Sequence, residues 1–210
     1  ASNAVSCQMR REIIEGLKAL EKDKEIKVVI LTGEGGTFCA GRDVAEVKEM
    51  GSFQLNEVYA DYIELKEMTD RLLDFSKPMI AAVNGFALGL GSSLTSFCDL
   101  VVAGESAKFG FPEININLVP GLSSVLLNKT VGRRMIHEML LLGDRFSAER
   151  ALEIKFINKV VPDSNVMTQA MEWAKKLAEK DAMVLLLTKR WLKSLGEGSY
   201  DEEASNSLNL

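Results

Sequence analysis

Met79–Gly104 reads MIAAVNGFALGLGSSLTSFCDLVVAG. MIAAVNG is a short apolar run closed by Asn84-Gly85, the pattern of a buried strand. GLGSSLTSF follows as a helix start with glycines at its mouth. CDLVVAG is a second buried strand. A strand, a Gly-rich turn, a helix and another strand within 26 residues imply an α/β core.

The same alternation extends to both sides. Upstream, KVVILTG (Lys27–Gly33) is a β-branched strand ended by glycine, and EGGTFCAGRD (Glu34–Asp43) is a loop of glycines and small residues. Before them, Met9, Ile13, Leu17 and Leu20 in QMRREIIEGLKALEKD share one helical face, with Ser6 as N-cap. Val44–Leu73 is charged and loosely periodic, which predicts helix, loop, helix. Downstream, AKFGFPEININLVPG (Ala107–Gly121) is a strand and loop. The rest is mainly helical: Ser147 caps one start, FINKVVP (Phe156–Pro162) is extended, and Met167–Lys180 and Ala182–Leu195 are amphipathic helices. The chain opens on a helix almost at once and stops in EEASNSLNL without a closing element, so ends of a longer protein are expected to be missing.

Composition narrows the function classes. Of 210 residues, 47% are hydrophobic and 26% charged, as in an average globular domain. A net charge of −5 argues against nucleic acid, which needs a clustered basic surface. No apolar run approaches the ~18–20 residues of a membrane span, so no membrane partner is expected. Cys7, Cys39 and Cys98 are sparse and form no C-x-x-C pair, which suggests reduced thiols and a cytoplasmic protein. One histidine, His137, makes a His-rich metal site implausible, and no metal is expected.

The chemistry-bearing segments are the two glycine-rich strand ends, FCAGRD and NGFALGLGSSL. Glycine lets a ligand approach the main chain, and backbone N–H groups at a helix mouth carry partial positive charge. Two such groups aimed at one point make an oxyanion hole. Taken singly, either loop reads as a tight turn. A dinucleotide fingerprint fails, because Gly89-Leu90-Gly91-Ser92-Ser93-Leu94 lacks its third glycine.

Together the segments closely resemble the crotonase superfamily, the enoyl-CoA hydratase/isomerase family. Phe38, Ala40, Gly41 and Asp43 match F-x-A-G-x-D. Ala82, Asn84, Gly85, Ala87, Gly89 and Gly91 match A-x-N-G-x-A-x-G-x-G. Phe109, Gly110, Pro112, Glu113, Pro120 and Gly121 match F-G-x-P-E-x-x-x-G-x-x-P-G. Leu140–Pro162 also resembles the family's helical region, so the likeness spans nearly the whole chain.

The resemblance implies an α/β spiral of β-β-α turns (the ClpP/crotonase fold) in residues 1–140, lacking its first strands. It implies a truncated helical C-terminal trimerisation region in 141–210. It implies a homotrimer or dimer of trimers acting on an acyl-CoA in fatty acid metabolism, with CoA as part of the substrate and no separate cofactor. Carried over position by position, the N–H groups of Arg42 and Leu90 are the oxyanion donors and Glu113 is the acid/base. Cys39, Ala40, Gly41, Asp43, Val44, Phe86, Gly89, Gly91, Ser93 and Pro112 line the acyl-CoA. Leu90, Phe111 and Leu122 are candidates for pocket shape.

One position departs from a typical hydratase. Hydratases of the family use two glutamates; the second matches Glu113, and the first falls at Ser93. A single carboxylate suits a proton shuttle between two carbons, the isomerase version of the chemistry. Three readings therefore stand: hydratase/isomerase; a thioester hydrolase using Ser92 or Ser93 with His137; and a non-catalytic acyl-CoA binder. Without the motif, Glu113 reads as a strand-end carboxylate, and His137 reads as structural.

Overall fold

The computed structural model describes residues 2–43, 45–46 and 55–195; side chains at 55–58, 122, 128 and 129 lie outside that description. Helix α1 (Cys7–Lys22) starts where Ser6 accepts a hydrogen bond from the Met9 N–H. That bond satisfies one of the donors that a first helical turn leaves without a partner. Ile14 and Leu17 face the core, and Met9, Ile13 and Leu20 pack on its margin. Helix α2 (Leu55–Asp74) lies against α1; the earlier part of the expected helix-loop-helix falls largely outside the described residues.

The strands alternate between two sheets. β1 (Val29–Thr32), β3 (Met79–Val83), β5 (Leu100–Gly104) and β8 (Lys159–Val161) form one parallel sheet in that order. β2 (Thr37–Cys39), β4 (Phe86–Leu88), β6 (Lys108–Gly110) and β7 (Arg145–Ser147) form the second, with β7 antiparallel at its edge. Each turn of the chain lays one strand in each sheet and then adds a helix. After β4 that helix is α3 (Leu90–Ser96); after β6 come a 3-10 turn (Pro112–Ile116), α4 (Gly121–Thr130) and α5 (Arg133–Leu142).

Burial follows from this layering. All five residues of β3 are buried, because the first sheet is covered on both faces. Met79, Ala81 and Val83 point into the main core between the sheets. Ile80 and Ala82 point the other way, beneath α7 (Val166–Ala178). That is why MIAAV is continuously apolar rather than alternating.

Two strands correct the sequence reading. β2 lies inside EGGTFCAGRD, expected to be a loop, and β4 lies in FAL, where no strand was expected. Each is three residues long, too short for a period-2 pattern to show. The C-terminal part also does more than supply α6 (Ala148–Glu153), α7 and α8 (Ala182–Ser194): β7 and β8 complete the two sheets. Its Phe156 stands edge-on to Phe109, Phe111 and Phe146, with centroids 5.6, 6.2 and 6.0 Å away. No helix among the described residues is long and apolar enough to cross a membrane.

Phe156 is buried at this junction of the second sheet with the C-terminal helices. Phe156→Ala should cost about 3–5 kcal/mol, read as a shift of the urea midpoint without a change of slope. A loss under about 1 kcal/mol would show that the junction repacks freely.

Candidate active site

β4 delivers the chain to Gly89, the residue before α3. Gly89 sits at φ 54, ψ −121, and its N–H bonds the Gly110 carbonyl at 2.8 Å. This positive φ is open to glycine at little cost. A Cβ here would also come within 3.2 Å of Glu113 Oε1, so the bare Cα makes room for the carboxylate. Leu90 is the first residue of α3; its N–H therefore has no acceptor within the helix. Its side chain is buried in the main core.

The loop after β2 crosses this helix mouth at backbone contact. A Cβ on Gly91 would lie 2.2 Å from the Cys39 carbonyl oxygen. A Cβ on Gly41, at φ 99, would lie 2.8 Å from the Leu88 carbonyl oxygen and 3.6 Å from the Leu90 nitrogen. Cys39, Ala40, Gly41 and Leu90 are thus brought together by glycines at both sides of the crossing. Val5 borders the loop on its far side: its N–H bonds the Gly41 carbonyl at 2.7 Å, and the Asp43 N–H bonds the Val5 carbonyl at 3.2 Å. In such a parallel bridge the residue between, Arg42, turns its own N–H away from Val5. Asp43 Oδ1 accepts from the Ala45 N–H at 2.9 Å, holding the loop. Val44 lies outside the described residues.

Glu113 arrives on the 3-10 turn that Pro112 opens. The Leu118 N–H bonds the Glu113 carbonyl at 2.9 Å, and Asn117 closes the turn in the left-handed conformation at φ 59. Asn115 ties the turn to the end of α5 through the Gly143 carbonyl at 3.2 Å. The Glu113 side chain is half-buried, and its Oε2 is buried with no hydrogen-bond partner in the protein. Burial pushes its carboxyl above the usual carboxylate range, partly offset by a backbone N–H.

Ser93 is committed elsewhere. Its hydroxyl lies 2.8 Å from that of Ser123 on α4 and 3.3 Å from the Gly89 carbonyl, and both serines are buried. Ser92 donates to the Ala87 carbonyl at 2.5 Å and accepts from the Gly110 N–H at 3.1 Å, binding α3 to β4 and β6. His137 lies on the exposed side of α5, and neither serine hydrogen-bonds to it. The three cysteines are free thiols, each pushed above its usual pKa with burial the largest cause, so none is a ready nucleophile.

Phe86 is not gathered with the others. It opens β4, three residues before Gly89 and so ~10 Å along the strand, half-exposed beneath the Arg145 guanidinium at 5.4 Å. Phe111 is fully buried in the aromatic cluster, and the Leu122 side chain lies outside the description. Among the described residues no group of three or more His, Cys, Asp or Glu side chains could hold a metal. Sequence reasoning missed two members of this neighbourhood, Ser123 and Val5. Each lies more than 25 residues from the segment it meets, and neither has a distinctive motif.

The enoyl-CoA hydratase/isomerase family matches residues 1–203. The chain belongs to this family. It is 34% identical to the mitochondrial enoyl-CoA hydratase of Pongo abelii over 97% of this chain and 70% of that protein. It is equally 34% identical to the 2,3-dehydroadipyl-CoA hydratase of Escherichia coli (strain K12), over 94% of this chain and 76% of that one. Its fold superposes on the crystal structure of an enoyl-CoA hydratase from Mycobacterium smegmatis with a TM-score of 0.91 at 28% identity, covering 100% of this chain and 82% of the other. The fold is accordingly the crotonase spiral.

A carboxyl whose pKa is raised in the folded state opposes folding once ionised: stability is full below the unfolded pKa and falls as pH rises through the folded one. Glu113→Gln should therefore raise Tm at pH 7–8, and the gain should shrink towards zero below the ordinary glutamate pKa of about 4.3. Thermal melts across that range test it; a variant less stable at pH 8 than the wild type would count against a buried, costly carboxylate.

Proposed function

We propose that this family member acts on an enoyl-CoA thioester through its enolate, and that Glu113 alone moves the proton. The observation that carries this reading is the Glu113 carboxylate beside Gly89 at the mouth of α3, with one buried oxygen unpartnered among the described residues. A base held ready in this way lacks only a substrate proton to bond.

The reaction follows from the groups at hand. The thioester oxygen accepts hydrogen bonds from the N–H groups of Arg42 and Leu90. Glu113 takes a proton from C2 of a 3-enoyl-CoA. The C–H electron pair moves towards the thioester oxygen and leaves a dienolate, which the two N–H groups stabilise by about 3–4 kcal/mol for one donor. Glu113, now protonated, returns the proton at C4, and the double bond ends between C2 and C3. Nothing is consumed. CoA enters as part of the substrate.

Isomerisation is favoured over hydration because water addition calls for a second base, and the position that would carry it is Ser93. Its hydroxyl is buried and bonded to Ser123, and an alcohol is a poor base near neutral pH. Hydration remains the second reading, favoured by the curated relatives named as hydratases. The hydrolase reading loses support because His137 makes no bond to either serine. The trimer, or dimer of trimers, belongs to this proposal too; Val119, Val125, Leu141 and Leu142 leave an apolar surface on and before α4 and α5 for subunit contact.

The test is turnover of a 3-enoyl-CoA beside crotonyl-CoA. The 3-enoyl substrate should react faster, and Glu113→Gln should lower kcat by about 10²–10⁴ with KM little changed. The acid limb of kcat/KM should sit above the ordinary glutamate range, since the base must be ionised. Ser93→Ala should keep turnover within about threefold while costing about 1–3 kcal/mol of stability, because the Ser123 hydroxyl loses a buried partner. Preferred hydration of crotonyl-CoA that dies with Ser93→Ala would move the assignment to a hydratase.

A further inference from the structure

Between α1, α2 and the loop after β2 lies a charge cluster that this reaction does not use directly. Asp61 on α2, only 10% exposed, divides its two oxygens. Oδ1 accepts from Arg10 at 2.5 Å, and Oδ2 accepts from Arg42 at 2.8 Å. Arg10 on α1 is 1% exposed and also bonds Cys7 Sγ at 2.7 Å and the Asp61 carbonyl at 3.5 Å. Glu64, one turn along α2, lies 3.5 Å from Arg10 and pairs with Arg11. A buried guanidinium must be paired, and once paired it holds its carboxylate in one place. Asp61 is thus a fixed post rather than a mobile surface acid.

Arg42 is tied to that post by its side chain, and the peptides on either side of it are tied to Val5. The loop is held from two directions, next to the crossing where Gly41 meets Leu90. We propose that Asp61, held by Arg10, is a positioning residue that sets the Arg42 peptide N–H opposite that of Leu90. This rests on the enolate reading given above. It also assigns the Arg42 guanidinium a role, that of tying the loop to Asp61 through Nη2. An oxyanion hole depends on placement to a fraction of an ångström, so a loosened loop costs rate more than binding.

The variants are Arg42→Met, Arg42→Lys and Asp61→Asn. Asp61→Asn strips a counterion from a buried arginine and threatens the fold. Arg42→Met leaves the Arg10–Asp61 pair intact and retains the backbone N–H. Two readouts are needed. The first is amide hydrogen exchange, in which residues 40–43 should exchange about tenfold faster in Arg42→Met while β3 amides keep wild-type rates. The second is bound acetoacetyl-CoA, whose enolate band in the near ultraviolet gives the pKa of the bound ligand without turnover. Wild type should lower that pKa, and Arg42→Met should give back about one unit, with kcat down about tenfold and KM within about twofold. Arg42→Lys should recover most of both. If Asp61→Asn folds, adding Arg42→Met to it should cost little more.

Arg42→Met matching wild type in loop exchange, or loosening the loop without moving the ligand pKa, overturns the positioning role alone. Wild type that leaves the ligand pKa at its free-solution value overturns the enolate reading, and the positioning role with it.

Discussion

The structure turns on a backbone contact: the Cys39 carbonyl lies where a side chain at position 91 would be, and Gly41 passes Leu88 and Leu90 in the same way. Two main chains can approach this closely only without Cβ atoms between them. The contact joins successive turns of the spiral at one point in the second sheet. It sets the mouth of α3 beside the loop after β2, and it leaves Gly89 bare towards Glu113. Replacing one of these glycines would push apart the strands, the helix start and the carboxylate together.

Around that crossing, polar groups are treated in two opposite ways. Ser92, Ser93, Ser123 and Asp43 all spend their oxygens on hydrogen bonds that hold backbone or each other. Arg10, Asp61 and Arg42 do the same with charge. Glu113 is left with a buried carboxylate oxygen that no group among the described residues satisfies, and burial raises its pKa; Ser96 Oγ and Arg10 Nε are likewise unsatisfied. Leaving a carboxylate so costs stability, which is the physical ground for proposing Glu113 as the reactive group. The hydrogen-bonded 3-10 turn and the charge cluster beside the loop after β2 oppose relaxation of this neighbourhood.

Much of the fold was legible because its signals are local. β1, β3, β5 and β8 are bounded by glycine or proline, and Ser6 and Ser147 cap their helices as side chains in the right place must. β2 and β4 were not legible, since three residues carry no period and their pairing partners lie about 20 to 50 positions away. The motif residues named Glu113, Leu90 and the 39–43 loop as a set; the structure brings the Cys39 and Gly41 main chain to the start of α3 and the Glu113 carboxyl beside Gly89. It leaves Phe86 at the start of β4, because an extended strand carries residues three positions apart well away from each other.

By itself the sequence determined the family, the α/β alternation, the glycines at the helix mouth and the absence of an acid at position 93. Those are properties of residue type and spacing along one chain. Only the tertiary structure decided that the Ser93 hydroxyl is taken by Ser123, that Leu90 turns its side chain into the core, and that Asp61 joins Arg10 to Arg42. These pairings span from 19 to 51 residues and use common side chains with no pattern of their own. Hydrogen bonds and ion pairs need directions and distances, and those exist only once the layers have packed.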